Sequence, residues 1–303
     1  MLKLILGGSG SGKTTLLYHR IRTRAEAGQK SILLVPEQFT SSTEGRIYRE
    51  LGDALSGMVE SFSFTSLAEK ILSAEGGSAV QTLSDAGRAV LVRRALEELQ
   101  DNVHYYYRHR RSAAFCQMAA ETIDELKSAG LSGQQLYELA QDCGTDSAKL
   151  SELALIFQGY ETLLAGTGMD PSDRLELAGA RLEEALAGGE VPGFLRGREV
   201  FIDEFDTFNA PKKRLLGAML AALPSVTVAL CDDGAPLLPG DLSLFSGAKQ
   251  VAAQLRQLAR KNGAEVAVPQ LLRKDLRHRN APGLAAVAEL LETGSCTADA
   301  PAG

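Results

Sequence analysis

Long apolar runs are missing from this sequence. Those present, such as residues 31–35 and 226–231, stop far short of the roughly 20 residues that a spanning helix needs, which excludes a membrane span. The first six residues are apolar but run directly into glycines, so they do not read as a secretory leader. Cysteine is scarce. Cys116, Cys143, Cys231 and Cys296 form no CxxC pair and have no histidine at ligand spacing. That excludes a disulfide framework and a zinc or iron–sulfur site, and it points to reduced thiols in the cytoplasm. A positive excess is absent as well, because 32 Lys+Arg stand against 38 Asp+Glu for a net charge of −6. A general basic coat for nucleic acid is therefore excluded, and any DNA contact has to be a local patch or groove.

What is present suffices for a folded protein. The 303 residues are 45% hydrophobic and 23% charged, enough apolar surface to offset chain entropy over one large domain or two modest ones. Residues 2–6 (Leu-Lys-Leu-Ile-Leu) read as a strand, residues 13–27 as a helix, and residues 30–35 and 58–64 as further strands. Helical periodicity then dominates, at residues 86–99, 115–126, 133–140, 149–164 and 172–186. Strand patterns return at residues 199–203, 225–231 and 265–268, with helices expected over 211–223 and 248–261. After residue 273 the pattern weakens, and residues 294–303 read as a frayed end. The expected fold is α/β, a parallel sheet interrupted by an all-helical insertion. Its expected parts are 1–78 (first half of the sheet domain), 79–192 (insertion), 193–275 (second half) and 276–303 (tail or start of a further segment).

One motif carries chemistry strongly. Gly7, Gly8, Ser9, Gly10, Ser11, Gly12, Lys13, Thr14 and Thr15 match the P-loop pattern between a strand and a helix. Glycines let successive backbone N–H groups curl round a phosphate, Lys13 places a charge on the outer phosphates, and the Thr14 hydroxyl is a ligand for Mg²⁺. The helix N-terminus that follows favours the same anion. The second half of such a site is an apolar strand ending in an acid, and Val200-Phe201-Ile202-Asp203-Glu204 supplies it. Asp203 is expected on the Mg²⁺ shell and Glu204 on the attacking water, a pair that favours hydrolysis of a nucleoside triphosphate. The signature-like Leu131-Ser132-Gly133-Gln134-Gln135 lies about seventy residues before the acid pair and reads better as a helix N-cap at Ser132. The guanine-reading Asn-Lys-x-Asp of GTPases is missing.

Weaker constellations keep two readings each. In residues 104–111 (His-Tyr-Tyr-Tyr-Arg-His-Arg-Arg), Tyr106 would stack on bases while Arg108, Arg110 and Arg111 reach phosphates; the alternative is an amphipathic helix start. Glu37-Gln38-Phe39-Thr40 sits where a ligand-facing loop leaves a parallel sheet, making Gln38 a candidate phosphate or DNA contact; otherwise it is plain loop. The exit of the third strand, residues 61–68, has the same two readings. Asp232-Asp233 is either a phosphate sensor or an acidic loop.

Together these motifs resemble a known family. The order Gly8-Ser-Gly-Ser-Gly-Lys-Thr-Thr15, Leu33-Leu-Val-Pro-Glu-Gln-Phe-Thr40, Ser61-Phe-Ser-Phe-Thr-Ser-Leu-Ala68 and Val200-Phe-Ile-Asp-Glu-Phe205 is similar to the N-terminal part of the AddB (RexB) family, over essentially the whole chain. These are the B subunits of the bacterial ATP-dependent helicase/deoxyribonuclease AddAB. The resemblance implies a P-loop NTPase fold with a RecA-like sheet, as in the first domain (1A) of superfamily 1 helicases, with a helical 1B-like insertion. It implies MgATP as cofactor, an AddA-type partner in a heterodimer, DNA ends as substrate, and a role in recombinational repair. It further implies a nuclease part with a cysteine-ligated 4Fe–4S cluster, expected only in a C-terminal region outside this chain. None of the four cysteines inherits that role, and the chain reads as an N-terminal fragment. Where active relatives of the superfamily carry Gln-Asp after the acid pair, this sequence has Phe205-Asp206. No second RecA-like domain follows to supply an arginine finger, a contribution of about 10³–10⁵ in rate. Hydrolysis is accordingly expected to be weak or absent. The rivals are an ATP-bound scaffold without turnover and a P-loop small-molecule kinase.

Overall fold

The structure, a computed structural model, describes residues 1–74 and 82–294. Its first part runs β1 (Leu2–Gly7), α1 (Lys13–Glu26), β2 (Ser31–Leu34), α2 (Thr40–Leu51), α3 (Asp53–Ser56), β3 (Val59–Phe62) and α4 (Phe64–Ala74). Helices α5 (Asp85–Glu98), α6 (Ala113–Ser128), α7 (Gly133–Ala140), α8 (Ser147–Ala165) and α9 (Pro171–Ala187) follow. The chain then returns to strands with β4 (Glu199–Ile202), α10 (Ala210–Ala222), β5 (Val226–Cys231), α11 (Ser246–Lys261), β6 (Gln270–Leu272) and α12 (Pro282–Thr293). Two compact units result: Met1–Leu67 with Leu182–Phe208 and Leu216–Gly303, and Ala68–Arg181 with Asn209–Leu215. No helix among the described residues is long and apolar enough to cross a membrane.

The first unit is α/β. Its six strands are all parallel, in the order β3-β2-β4-β5-β1-β6. Strands buried on both faces need mostly apolar residues, and β1, β2 and β5 have them, with Lys3, Ser31 and Thr227 as the polar exceptions. Ile5, Leu33, Phe201 and Ala229 pack with Leu17 and Ile21 of α1 and Ile47 and Leu51 of α2. Helix α11 lies against β1 and β5 and buries Val251, Ala252, Leu255 and Ala259. Parallel pairing sets Gly7 beside Cys231 and Leu34 beside Ile202, so the loops leaving β1, β2, β4 and β5 gather at one edge of the sheet.

Most of the expected elements lie within two residues of their observed bounds. The sixth strand does not. Only Val266 bridges Leu2 in the expected stretch, and β6 proper begins after Pro269, pairing Gln270 with Ile5. Between these two pairings β1 advances three residues and its partner four. Proline has no N–H for the ladder, so the extra residue is accommodated at Val268–Pro269, where Val268 is 93% exposed. The third strand ends at Phe62, because Ser63 caps a helix there: the N–H of Ser66 donates to Ser63 Oγ at 3.1 Å. The supposed exit loop is thus the start of α4, and the stretch after Phe39 is α2. Helix α12 falls where the pattern looked weak, announced only by Pro282 in its first turn. The expected frayed end, residue 294 apart, lies outside the described residues, as does Cys296.

The second unit is helical, with α5, α6, α7 and α8 packed around Leu96, Ile123, Phe157 and Tyr160. Ser132 caps α7 in a full capping box with Gln135, which bears out the N-cap reading of that stretch. A polar cluster is buried beside the apolar core. Tyr160 Oη donates to Asp170 at 2.5 Å, and Lys127 Nζ donates to the other oxygen of that carboxylate at 3.0 Å. Asp170 is 1% exposed, so both donors are needed to hold its charge away from water. Replacing Tyr160 by Phe keeps the ring and removes one donor. The expected loss is about 1–3 kcal/mol in urea unfolding followed by circular dichroism; an unchanged midpoint would show that Lys127 alone satisfies the carboxylate.

Candidate functional site

Strand β1 stops at Gly7 and α1 starts at Lys13, so the intervening residues must turn the chain sharply. Gly10 (φ +77°) and Gly12 (φ +88°) adopt left-handed conformations that only glycine takes without cost. At Gly7 the constraint is space, since a Cβ would lie 2.4 Å from Ser11 Oγ and 2.7 Å from the Leu272 carbonyl oxygen. Lys13 Nζ curls over the turn and donates to the carbonyls of Gly7 and Gly8, each at 2.8 Å. Ser11 is buried and its hydroxyl has no hydrogen-bond partner among the described residues. Orphan helix N–H groups, an ammonium and a glycine-lined turn together form an anion-binding concavity.

The opposing acids come from β4. The Asp203 N–H donates to the Leu34 carbonyl at 3.1 Å, which carries the β4–β2 ladder one residue beyond the strand. Asp203 is 6% exposed. Burial pushes its carboxyl above the usual range, the Thr14 hydroxyl hydrogen bond opposes that, and the neighbouring Glu204 charge adds to the rise. Glu204 sits at φ +65°, the one non-glycine residue at positive φ among the described residues. Such a backbone costs on the order of 1–3 kcal/mol and persists only where its surroundings impose it.

Ser9, Lys13, Thr14, Thr15, Asp203 and Glu204 line one cleft of about 450 Å³, together with Gly10 and Gly12. Gly7, Gly8 and Ser11 line a neighbouring cleft of about 320 Å³ on the strand side of the turn, and Ser9 faces both. Thr14 and Asp203, which line the same cleft, fit the way Mg²⁺ is held, by one or two protein oxygens with the rest from phosphates and water. Among the described residues no cluster of three or more His, Cys, Asp or Glu could hold a metal by itself.

Gln38 is exposed on the 3₁₀ turn Glu37–Phe39 and lines neither wall of the acid-pair cleft; its neighbour Phe39 does line a further cleft of about 380 Å³ that shares Thr14, Asp203 and Glu204. Asp232 accepts from the Gly234 N–H at 2.7 Å and Asp233 pairs with Lys249 at 3.3 Å, so both acids are engaged in shaping their own loop. Sequence reasoning missed Arg46. It lies over the Tyr18 ring at 4.9 Å and faces both clefts that hold the acid pair. Burial pushes the Tyr18 hydroxyl up to about 12, with Arg46 opposing. No motif flags Arg46, because α2 meets the site only through the folded sheet. Equally unsignalled, residues 275–277 lie against the glycine turn.

The basic–aromatic stretch belongs to the helical unit. It is not a helix start but a loop with a 3₁₀ turn at Tyr107–His109, and Ser112 caps the helix beyond it. The Glu152 carboxylate accepts the N–H groups of His104, Tyr105 and Tyr106 at 2.9–3.1 Å and so shapes the loop. The half-buried Tyr106 ring stacks on Phe115 with centroids 5.6 Å apart. Arg110 lies 3.9 Å over the Tyr107 ring and Arg108 lies 5.4 Å over Tyr105. Arg108 and Arg111 are exposed.

The family described as ADDB, N-terminal, matches residues 4–288. A protein of Desulforudis audaxviator, named as the B subunit of an ATP-dependent helicase/deoxyribonuclease, is 36% identical over 296 residues, covering 94% of this chain and 25% of that protein. Proteins of the same name from Moorella thermoacetica and Symbiobacterium thermophilum are 33% and 32% identical over 299 and 313 residues, covering 94% and 96% of this chain and 25% and 26% of theirs. The chain spans about a quarter of the length of the curated relatives it matches.

The raised Asp203 carboxyl has a consequence for stability. A carboxyl raised in the folded state contributes favourably below its unfolded value, and that contribution is lost as pH rises through the folded value. Near neutral pH the charged, buried group is therefore a liability. Asp203→Asn is expected to raise the thermal unfolding midpoint near pH 7, by about 2–4 °C per kcal/mol relieved, with the gain shrinking towards about pH 4. A midpoint that falls near pH 7 would show that the carboxylate's hydrogen bonds outweigh its burial.

Proposed function

Since the chain belongs to the ADDB N-terminal family, we propose that it is the MgATP-binding, helicase-like end of the B subunit of a helicase/deoxyribonuclease. In that role it works with an AddA-type partner on DNA ends in recombinational repair. The observation that carries this is the convergence of Lys13, Thr14, Asp203 and Glu204 on one cleft, from about 190 residues apart in the sequence. The all-parallel sheet with glycine turn and acid pair at its carboxyl edge supports a P-loop NTPase of RecA-like type.

In this reading, backbone N–H groups of residues 8–14 hold the phosphates, and Lys13 leaves the Gly7 and Gly8 carbonyls to meet the outer ones. Thr14 and Asp203 would hold Mg²⁺, which would supply charge neutralisation on the outer phosphates. Glu204, held at its strained φ, orients the attacking water and takes its proton.

One observation favours a second reading, a nucleotide-bound scaffold without turnover. Phe205, at the position after the acid pair, is buried against Phe64 and Phe208 with ring centroids 5.2 and 5.5 Å away. That position therefore serves packing. Turnover of MgATP by the chain, with and without single-stranded DNA and with Lys13→Ala as blank, separates the two. Under both readings MgATP at about 100 times its Kd stabilises the fold by about 2.7 kcal/mol, and Lys13→Ala removes the effect. Stabilisation that survives the substitution would refute the nucleotide site.

The DNA assignment has its own test. Changing Arg108, Arg110 and Arg111 together to Ala is expected to weaken single-strand binding and flatten its salt dependence by about 0.7 in log–log slope for each phosphate no longer neutralised. Tyr106→Ala is expected to lower thermal stability more than DNA affinity, because its ring is committed to Phe115. Unchanged binding in the triple variant would return these arginines to a solvent-facing role.

A further inference from the structure

Strand β3 lies at one end of the sheet order and pairs with β2 alone among the described residues. The Ser31 N–H donates to the Met58 carbonyl at 2.9 Å and the Val35 N–H to the Phe62 carbonyl at 3.0 Å. Backbone groups alternate along a strand, so residues 58, 60 and 62 face β2. Val59 and Ser61 therefore turn their N–H and C=O groups away from the sheet, and no hydrogen bond from the described residues meets them. Such an edge is a template for one more strand.

The chemistry around this edge is one-sided. All four residues of β3 line a cleft of about 660 Å³, to which α2 contributes Glu44, Ile47 and Tyr48 and α3 contributes Asp53. Glu44 and Asp53 are exposed and make no ion pair among the described residues. Glu60 is a third acid, with one oxygen held by Arg198 at 2.5 Å. No Lys, Arg or His among the described residues lines the cleft. Tyr48 is 60% exposed, and an open aromatic face attracts a cation as the carboxylates do.

This charge selects the occupant. A second copy would bring the same acids to the edge, and like charges across a strand pair are unfavourable. The chain's own basic stretch, residues 104–111, is held in its loop by Glu152. Nucleic acid is repelled by the carboxylates. We propose that the β3 edge is a docking site for a basic, extended segment of a partner protein, which adds to the sheet as a seventh strand. Its backbone pairs with Val59 and Ser61. Alternate side chains enter the cleft, where Lys or Arg meets Glu44, Asp53 and the Tyr48 ring. Neither the nucleotide reading nor the DNA reading uses this edge.

The test is fluorescence anisotropy of a labelled peptide of alternating Lys and Val on the 303-residue chain. The Lys–Val peptide is expected to bind and its Glu–Val counterpart to fail. Ser61→Pro removes an outward N–H at an edge position where proline is tolerated, and it should weaken binding about tenfold, the worth of about one hydrogen bond. Methylating alternate backbone nitrogens of the peptide keeps every charge and should cost at least as much. Glu44→Lys with Asp53→Lys is expected to weaken binding about five- to tenfold, and Tyr48→Ala about threefold. Losses on charge reversal with none from the methylated peptide would mean simple adhesion to an acidic surface and would overturn strand addition. Absence of binding at millimolar peptide would overturn it as well. Sedimentation that shows a dimer of the chain, lost in Ser61→Pro, would make the occupant a second copy and refute the basic partner. Should Ser61→Pro fail to fold by circular dichroism, the methylated peptide decides.

Discussion

The site depends on three backbone ladders, the pairing of β4 with β2, of β4 with β5 and of β5 with β1. They place the end of β4, about 190 residues after the glycine turn, at the same sheet edge as that turn. The N–H of Asp203 continues the first ladder onto the Leu34 carbonyl, so the acid's backbone is held by the sheet itself. A slip of one residue would turn Phe201 and Ile5 from one face to the other and carry the acid out of reach of Thr14. Burial of both faces guards against such a slip, because either register error would put a packed apolar face into the wrong layer.

Against this regular frame the site is built from departures. Two glycines stand at left-handed φ, a glutamate shares that region, and a carboxylate is buried with a threonine hydroxyl as a main support. Ser11 keeps an unsatisfied buried hydroxyl. Each lowers stability where the frame is otherwise most consistent, and together they make the carboxyl edge the candidate site. The helical unit handles buried charge differently. Asp170 has both Tyr160 and Lys127, so each oxygen of its carboxylate meets a donor.

Aromatic residues show how a chemical pattern and its use diverge. Three tyrosines interleaved with arginines suggest base stacking, yet Glu152 gathers their backbone and Phe115 takes the Tyr106 ring. Phe205, next to the acid pair, joins Phe64 and Phe208. Both aromatic positions are spent on packing, which leaves Arg108 and Arg111 as exposed basic groups of that loop and Glu204 as the exposed group beside Asp203.

Local chemistry was legible in the sequence. The glycine spacing around Lys13, the apolar strand ending in Asp203-Glu204, the Ser132 cap and the helical periodicity from residue 86 onward depend on neighbours a few residues apart, and each formed where its pattern lies. Even the misplaced sixth strand carried its correction in Pro269, which cannot donate to a ladder. Only the tertiary structure decided which distant side chains share the cleft. Arg46 arrives on a helix with no motif, Arg277 arrives after β6 has paired with β1, and Gln38, adjacent in sequence to a lining residue, does not line the acid-pair cleft. Such placements are set by strand order and register, which depend on burying both faces of one sheet, a property of the whole chain that no short window of residues contains.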